Sequence, residues 1–426
     1  MLQINVEDNN YDDYVILYCD GIDSSDVKLS EDDLRGKQIT VFLNPDYSSL
    51  FTYGRRMIEQ INKLTEMNGV NNITILPSND KFNFHKELNV EELLYENYDS
   101  IKHPEMINVR TFDYFATDKN GEMIPIHTVH PLPHCKDIDK KIELFAADIN
   151  NSDLSSFEKI LATHIMCTRF MNTDVEHENN GTFFVEPDLK NVYGSSMHIL
   201  SDGDDGYKIK CGGYVDLFSR ILKKMKLSSK PMVILNVDND YGHVVSLIDI
   251  YDTKYGINGT YVSDLRSDSD SREYREAKDG GIMEDAKNYW GFNSLGYFCM
   301  SCDDFISLLG LDLFDSPTIY SVDSTSSYNG GERFVSKGRI SIDSIKKALT
   351  VVYRHMYSIN DNLDVYLNRG ASDGMVANIN REIEFVKKMR ELADSNTSSS
   401  NKSGDDLNSM FDKQNGTSNG STNNNG

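Results

Sequence analysis

The sequence has little of what marks membrane-spanning or secreted proteins. No apolar run approaches the roughly 20 residues that a transmembrane helix needs. The first residues, Met1 to Asp8, are acidic and lack the basic start and apolar centre of a signal peptide. We therefore expect a cytoplasmic protein with no membrane partner.

Basic residues and cysteines are also scarce. Lys and Arg number 43 against 67 Asp and Glu, which gives a net charge of −24. Such a surface repels a phosphate backbone, so we expect no nucleic-acid partner. The 6 cysteines are scattered over 426 residues, which indicates reduced thiols rather than a disulfide scaffold. This length predicts two or three domains with a sizeable core.

A cysteine lies at the start of a predicted helix in the middle of the chain. After Cys211-Gly212-Gly213-Tyr214, apolar residues recur at helical spacing; they are Val215, Phe218, Ile221, Leu222 and Met225. A thiol at a helix N-terminus has its pKa lowered, which favours the nucleophilic thiolate. The placement therefore indicates a reactive cysteine, whereas most lone cysteines before an apolar helix are small buried hydrophobes.

A histidine and an aspartate follow in strand-like surroundings. His243 begins a run of alternating character that ends at Ile250, and Asn258-Gly259 predicts a two-residue hairpin turn. The returning strand ends at Asp264 and would lie antiparallel to the histidine strand. His243 could take the thiol proton and return it to a leaving amine. Asp264 could hold the imidazole tautomer, which completes a candidate catalytic triad of Cys211, His243 and Asp264.

These motifs resemble the transglutaminase-like domain of bacteria. The resemblance rests on Cys211-Gly212-Gly213-Tyr214, on Gly242-His243 and on the run from Lys254 to Asp264. That family belongs to the papain-like cysteine peptidase group and uses Cys, His and Asp in this chain order. The resemblance implies a papain-like α+β catalytic domain that acts on a protein or peptide substrate. Leu265-Arg266-Ser267 stands where the family usually has Pro-Thr-Trp.

Other polar motifs have weaker assignments. Tyr207 and Asn191 are candidates for a second oxyanion donor beside the backbone N–H of Cys211. The stretch 127–135 holds three histidines and a cysteine, which are donors that zinc prefers, but its prolines favour an extended linker. The CxxC at 299–302 is more typical of buried thiols. We expect neither a metal nor a cofactor.

The pattern of elements divides the chain into four predicted regions. Residues 1–145 alternate strands with a helix and predict a small α/β module for recognition or docking. Residues 146–335 form the transglutaminase-like domain, which begins with a helix over 152–171 and a capping box at Ser155 and Glu158. Residues 336–394 are C-terminal helices. Residues 395–426 are rich in Ser, Asn and Gly and predict disorder.

The predicted triad leaves several functions open. Cysteine-dependent acyl transfer with water as acceptor gives a peptidase or amidase, and with an amine it gives a transglutaminase. The alternative is a catalytically inactive transglutaminase-like binding or scaffold protein, which the altered residues after Asp264 favour. A second alternative is a metal-dependent protein that uses the 127–135 cluster. The substrate and the oligomeric state stay open.

Overall fold

The computed structural model combines helices with β-sheets, so the fold is mixed α and β. The structure describes residues 2–4, 14–19, 38–43, 50–66, 70, 72–77, 84–117, 123–170, 172–173, 208–209, 211–236, 241–266, 268–269, 295, 298–300, 305, 318–321, 340–359, 375–377, 379–380, 382–384 and 386–387. The segment 395–426, for which the sequence predicts disorder, lies outside these residues.

Six α-helices have both of their ends within the described residues. They are α1 Leu50–Thr65, α2 Phe84–Glu96, α3 Leu132–Asn150, α4 Ser156–Phe170, α5 Cys211–Lys224 and α6 Ile342–Ile359. Short 3-10 turns lie at Tyr98–Ser100 and Pro104–Met106. The helix predicted over 152–171 is confirmed as α4, and the helix that the stripe Ile345, Leu349 and Val352 predicts over 341–357 is confirmed as α6. Each buries the apolar stripe that predicted it, because a stripe at helical spacing packs as one face against its neighbours.

The first sheet has six strands in sequence order. They are β1 Leu2–Ile4, β2 Tyr14–Cys19, β3 Gln38–Leu43, β4 Ile73–Pro77, β5 Ile107–Thr117 and β6 Met123–Pro131. Strands β2 to β5 are parallel, whereas β1 and β6 pair antiparallel at the two edges. Helix α1 connects β3 to β4 and helix α2 connects β4 to β5, as βαβ units require.

The second sheet carries two of the predicted site residues. Its strands are β9 Ser228–Asn236, β10 Tyr241–Asp252, β11 Ile257–Ser263 and β12 Thr318–Ser321. Their order is β11-β10-β9-β12, and all neighbours are antiparallel. A further pair of two-residue strands, β7 Asn172–Thr173 and β8 Lys208–Ile209, lies parallel before α5.

The β10–β11 hairpin turns at a different place from the one predicted. The antiparallel pairing is confirmed, but Asn258 and Gly259 lie inside β11, where they pair with Tyr251 and Ile250. The turn is formed by residues 253–256, and it ends at Gly256, whose φ is +64°. The Asp252 carboxylate accepts the backbone N–H of Lys254 at 2.9 Å and stabilises this turn. A side-chain bond and a left-handed glycine thus override the Asn-Gly preference.

The stretch 127–135 is not the extended linker that its prolines favour. Residues up to Pro131 belong to β6, and α3 begins at Leu132. Both prolines fit, because Pro131 ends an edge strand and Pro133 lies in the first turn of α3, where no intrahelical N–H bond is lost. Cys135 is fully buried. Among the described residues, no group of three or more His, Cys, Asp or Glu side chains is placed to hold a metal ion.

The predicted regions share buried contacts. A single hydrophobic cluster extends from Met57 on α1 to Val386 near the C-terminal end of the described chain. Helix α5 packs against α3, α4 and β5 as well as its own sheet. Helix α3 runs through residue 145, where the sequence places a domain boundary. The four regions stay predictions. No helix of the described residues has the length and apolar character that crossing a membrane requires.

Hydrogen bonds connect the start of α4 to the turn of the β10–β11 hairpin. The predicted capping box is confirmed: Ser155 N–H donates to Glu158 at 2.8 Å, and Glu158 N–H donates to Ser155 Oγ at 3.4 Å. Glu158 Oε1 also accepts Lys254 Nζ and Tyr255 Oη, each at 2.7 Å. Tyr255 Oη lies 2.7 Å from Ser344 Oγ on α6. One carboxylate therefore joins α4, the β10–β11 turn and α6.

We expect Glu158→Gln to destabilise the protein by about 2 kcal/mol at pH 7, because the amide cannot replace a charged acceptor. Burial alone would raise the pKa of Glu158, but the hydrogen bonds from Lys254, Ser155, Ser344 and Tyr255 lower it from 4.5 to about 2. The contribution is therefore complete above pH 4.5 and is lost as the pH falls towards 2. Urea unfolding at pH 7 and pH 3 measures it.

The matched control is Asp137→Asn, which removes an exposed carboxylate that pairs with Lys141 at 3.2 Å. We expect this control to change stability by less than about 0.5 kcal/mol at either pH. If wild-type protein and Glu158→Gln differed as much at pH 3 as at pH 7, the lowered pKa would be contradicted.

Candidate active site

Cys211 is the first residue of α5, as the sequence predicts. The residues that follow on this helix are almost all buried, including Tyr214, Val215 and Phe218. Cys211 itself is half-buried, whereas the other described free cysteines, Cys135, Cys167 and Cys299, are buried. Burial raises the pKa of the Cys167 and Cys299 thiols. Among the four cysteines whose burial the structure describes, Cys211 therefore has the most open position, and it also lies at a helix N-terminus.

His243 lies near the start of β10, and its Cα pairs with that of Ile234 on β9. The strand begins two residues earlier than predicted, at Tyr241. The next residues, Val244 and Val245, are 3% and 0% exposed, so β10 is buried directly beyond the histidine. Strand β10 pairs with β9 on one edge and, from Ser246 onward, with β11 on the other, so it is an internal strand of the sheet.

Asp264 follows the last residue of β11 and is completely buried. The chain turns helical immediately after it, at 265–266 and 268–269. The backbone N–H of Asp268 donates to the Asp264 carbonyl at 3.2 Å, which closes the first turn. Leu265 and Arg266, which directly follow Asp264, thus begin a helical turn rather than an extended segment.

The three predicted site residues come from one helix-on-sheet unit. Helix α5 packs against β9 and β10, and β10 pairs with β11 from Ser246↔Ser263 to Asp252↔Ile257. Cys211 therefore lies on the helix, His243 lies on the internal strand β10, and Asp264 directly follows the edge strand β11. Their role as a catalytic triad stays a prediction. Tyr207 and Asn191, the oxyanion candidates, lie outside the described residues.

A buried polar cluster behind this unit was not predicted. His164 Nε2 lies 2.7 Å from Asp268 Oδ2, and both side chains are 0% exposed. The carboxylate can only accept, so Nε2–H is the donor. Tyr214 Oη donates to Ser269 Oγ at 2.7 Å, and both residues are also buried. Asp268 and Ser269 thus join the turn after Asp264 to α4 and α5 respectively.

Aromatic rings enclose His164. Its ring centroid lies 4.9 Å from that of Phe298 and 6.4 Å from that of Phe218, both in edge-on geometry. With a side chain that is 0% exposed, His164 lies in the core. No local pattern could have revealed its partner, since 104 residues separate His164 from Asp268.

The segment 298–300 closes the other side of β11. Val262 and Met300 exchange backbone hydrogen bonds of 2.8 and 2.7 Å. Cys299 N–H donates to Ser263 Oγ at 2.9 Å. Cys299 is fully buried, which agrees with the prediction of buried thiols for this half of the CxxC motif, whereas Cys302 lies outside the described residues.

No model of a protein family matches this chain, and no curated protein matches it either. The resemblance to the transglutaminase-like domain therefore rests on the motif residues themselves. Two local features agree with the elements predicted from those motifs. A helix begins at Cys211, and the strand of His243 pairs antiparallel with the strand that precedes Asp264.

Proposed function

We propose that this protein is a papain-like, transglutaminase-like enzyme that transfers acyl groups from amide bonds of a protein or peptide through Cys211, His243 and Asp264. The observation that carries the proposal is the position of Cys211 at the N-terminal end of a helix that packs on the strand of His243. Partial positive charge at a helix N-terminus stabilises a thiolate. We place the protein in the cytoplasm, where reducing conditions keep the thiol available.

The register of the hairpin supports the pairing of His243 with Asp264. If the β10–β11 register continued by one pair past Ser246↔Ser263, Asp264 would lie opposite Val245. Val245 is two residues from His243, and alternate residues of a strand share one face of a sheet. Positions 243 and 264 then occupy one face as diagonal neighbours, a separation that side chains can bridge.

The reaction has two steps. In the first, the Cys211 thiolate forms a bond to the carbonyl carbon, His243 gives its proton to the leaving amine, and the C–N bond breaks. In the second, His243 takes a proton from water or from a second amine, which attacks the thioester and releases the thiolate. Water yields hydrolysis and an amine yields a new amide. Asp264 holds the imidazole in the required tautomer and stabilises its charged form.

An inactive binding protein of the same fold is the second candidate. The helical turn directly after Asp264, at Leu265 and Arg266, is the observation that favours it, because this segment departs from the family's usual sequence. A protein of this kind would keep the fold but form no thioester with an acyl donor. Reactivity of Cys211 therefore separates the two candidates.

The test is the pH dependence of iodoacetamide labelling at Cys211, located by peptide mass spectrometry. We expect labelling to be at least about tenfold faster at pH 6 than that of a thiol with an ordinary pKa of about 8.5, because a thiolate is already present. His243→Ala should remove most of this advantage. Buried Cys167 and Cys299 serve as internal controls that stay unlabelled in the native protein.

The matched control variant is Ser246→Ala, on the same strand three residues beyond His243. Ser246 Oγ is buried and has no hydrogen-bond partner among the described residues, so its loss leaves the strand intact. We expect labelling of Cys211 to be unchanged in this variant. Labelling of wild-type Cys211 no faster than an ordinary thiol would contradict the proposed activity and favour the inactive binding protein.

A further inference from the structure

The turn that follows Asp264 is held at two points by buried side chains. His164 on α4 donates to Asp268 at 2.7 Å, and Tyr214 on α5 donates to Ser269 at 2.7 Å. We propose that these two hydrogen bonds form an anchor that sets the position of Asp264 relative to the helix of Cys211. This inference rests on the proposed function, since it assigns positioning residues to the same site.

The Tyr214 contact connects the anchor directly to the catalytic helix. Tyr214 lies three residues after Cys211, within the first turn of α5. Its ring is completely buried, so its hydroxyl has a fixed direction as well as a fixed partner. The turn of helix that begins with the candidate nucleophile therefore also holds the segment that begins with the candidate orienting carboxylate.

The His164 contact fixes the same segment from another direction. His164 Nε2 and the Asp268 carboxylate are both 0% exposed, and such a bond is stronger in the protein interior than in water. His164 Nδ1 is buried without a hydrogen-bond partner among the described residues, so Asp268 is the contact that orients this ring. The ring is further held by Phe298, at 4.9 Å between centroids.

Asp264 lies between fixed points on both sides. Before it, Ser263 Oγ accepts the backbone N–H of Cys299 at 2.9 Å. After it, the Asp264 carbonyl accepts the backbone N–H of Asp268 at 3.2 Å, and Asp268 and Ser269 carry the anchor contacts. An orienting carboxylate acts only when it is held close to its productive geometry, which second contacts of this kind supply.

The experiment compares Tyr214→Phe and Asp268→Asn with wild-type protein in two measurements. Hydrogen–deuterium exchange of peptides that cover 264–269 reports whether the segment is held. The pH midpoint of Cys211 labelling by iodoacetamide reports whether the triad is aligned. We expect exchange in this segment to rise about tenfold. We expect the labelling midpoint to rise by about one pH unit towards the value of His243→Ala.

Ser219→Ala is the matched control. Ser219 is buried on the same helix, and its hydroxyl bonds to Ser229 on β9 at 2.8 Å, away from the Asp264 segment. The control loses one buried hydrogen bond of α5, as Tyr214→Phe does. We expect it to change neither the exchange of 264–269 nor the labelling midpoint.

The outcomes separate the anchor from the proposed activity. Faster exchange at 264–269 together with a raised midpoint, in both variants and not in Ser219→Ala, supports the anchor. Faster exchange with an unchanged midpoint overturns the positioning role and leaves the proposed activity standing. Unchanged exchange overturns the anchor itself. If wild-type Cys211 labels like an ordinary thiol, the proposed activity fails and the positioning role fails with it, whatever the exchange shows.

Discussion

Glu91→Ala is expected to lower the free energy of unfolding by about 3 to 5 kcal/mol, because it leaves Arg220 buried with half of its countercharge. Arg220 on α5 is 7% exposed, and its guanidinium donates to both oxygens of Glu91 on α2, once at 3.1 Å. Tyr95 also donates to Glu91, at 3.1 Å. Asp216 remains as a partner of Arg220 at 2.8 Å. Urea unfolding followed by far-UV circular dichroism measures the loss.

The neighbouring residue supplies the control. Glu92 also connects α2 to α5, through Lys223 at 2.9 Å, but both side chains are about one third exposed. We expect Glu92→Ala to cost less than about 1 kcal/mol, because water screens this pair. Equal effects of the two substitutions would contradict the importance of burial at Arg220.

The same experiment bears on the predicted division of the chain. If residues 1–145 folded as an independent module, Glu91→Ala would weaken its attachment to α5 and produce two separate transitions. If α2 and α5 belong to one cooperative unit, a single transition shifts to lower urea. The shared hydrophobic cluster leads us to expect the single transition.

Glu382→Ala is expected to have an effect of similar size, about 3 to 5 kcal/mol, since it removes a buried carboxylate that pairs with the buried guanidinium of Arg169. Arg169 Nε donates to the two Glu382 oxygens at 3.0 and 2.9 Å, and the side chains are only 1% and 3% exposed. Tyr353 on α6 donates to the same carboxylate at 2.6 Å. The substitution therefore disturbs α4, α6 and the helical segment 382–384 together.

Glu384→Ala is the matched control for this site. Glu384 lies two residues further along the same segment and pairs with Lys387 at 2.6 Å, with both side chains exposed. We expect its loss to change stability by less than about 0.5 kcal/mol in the same urea titration. A Glu382→Ala protein as stable as this control would contradict a structural role for the Arg169 contact.

Local patterns were sufficient to predict the elements that carry the site. The apolar stripe after Cys211 predicted a helix, and α5 begins at that residue. The strand of His243 and its antiparallel partner could also be predicted from the sequence, because alternation and a nearby turn are local signals. The capping box at Ser155 and Glu158 was read correctly for the same reason.

Predictions failed where distant residues decided the outcome. The hairpin turned at 253–256 because the Asp252 carboxylate holds the backbone of the turn and also accepts the N–H of Phe157, which is 95 residues away. The prolines of 127–135 led to the prediction of an extended linker. In the structure, β6 pairs with β5 and α3 packs on α5, so tertiary contacts stabilise a strand and a helix in this stretch.

The sequence by itself determined the helix of Cys211, the strand of His243 with its antiparallel partner, and the order of the three candidate residues, since each depends on neighbours within a few turns. Only the tertiary structure decided which partners the buried polar and charged side chains around them have. The partners of His164, Arg220 and Arg169 are 104, 129 and 213 residues away. A buried polar group must find such partners wherever the fold brings them, because an unpaired one is costly in the interior, and no local spacing records the choice.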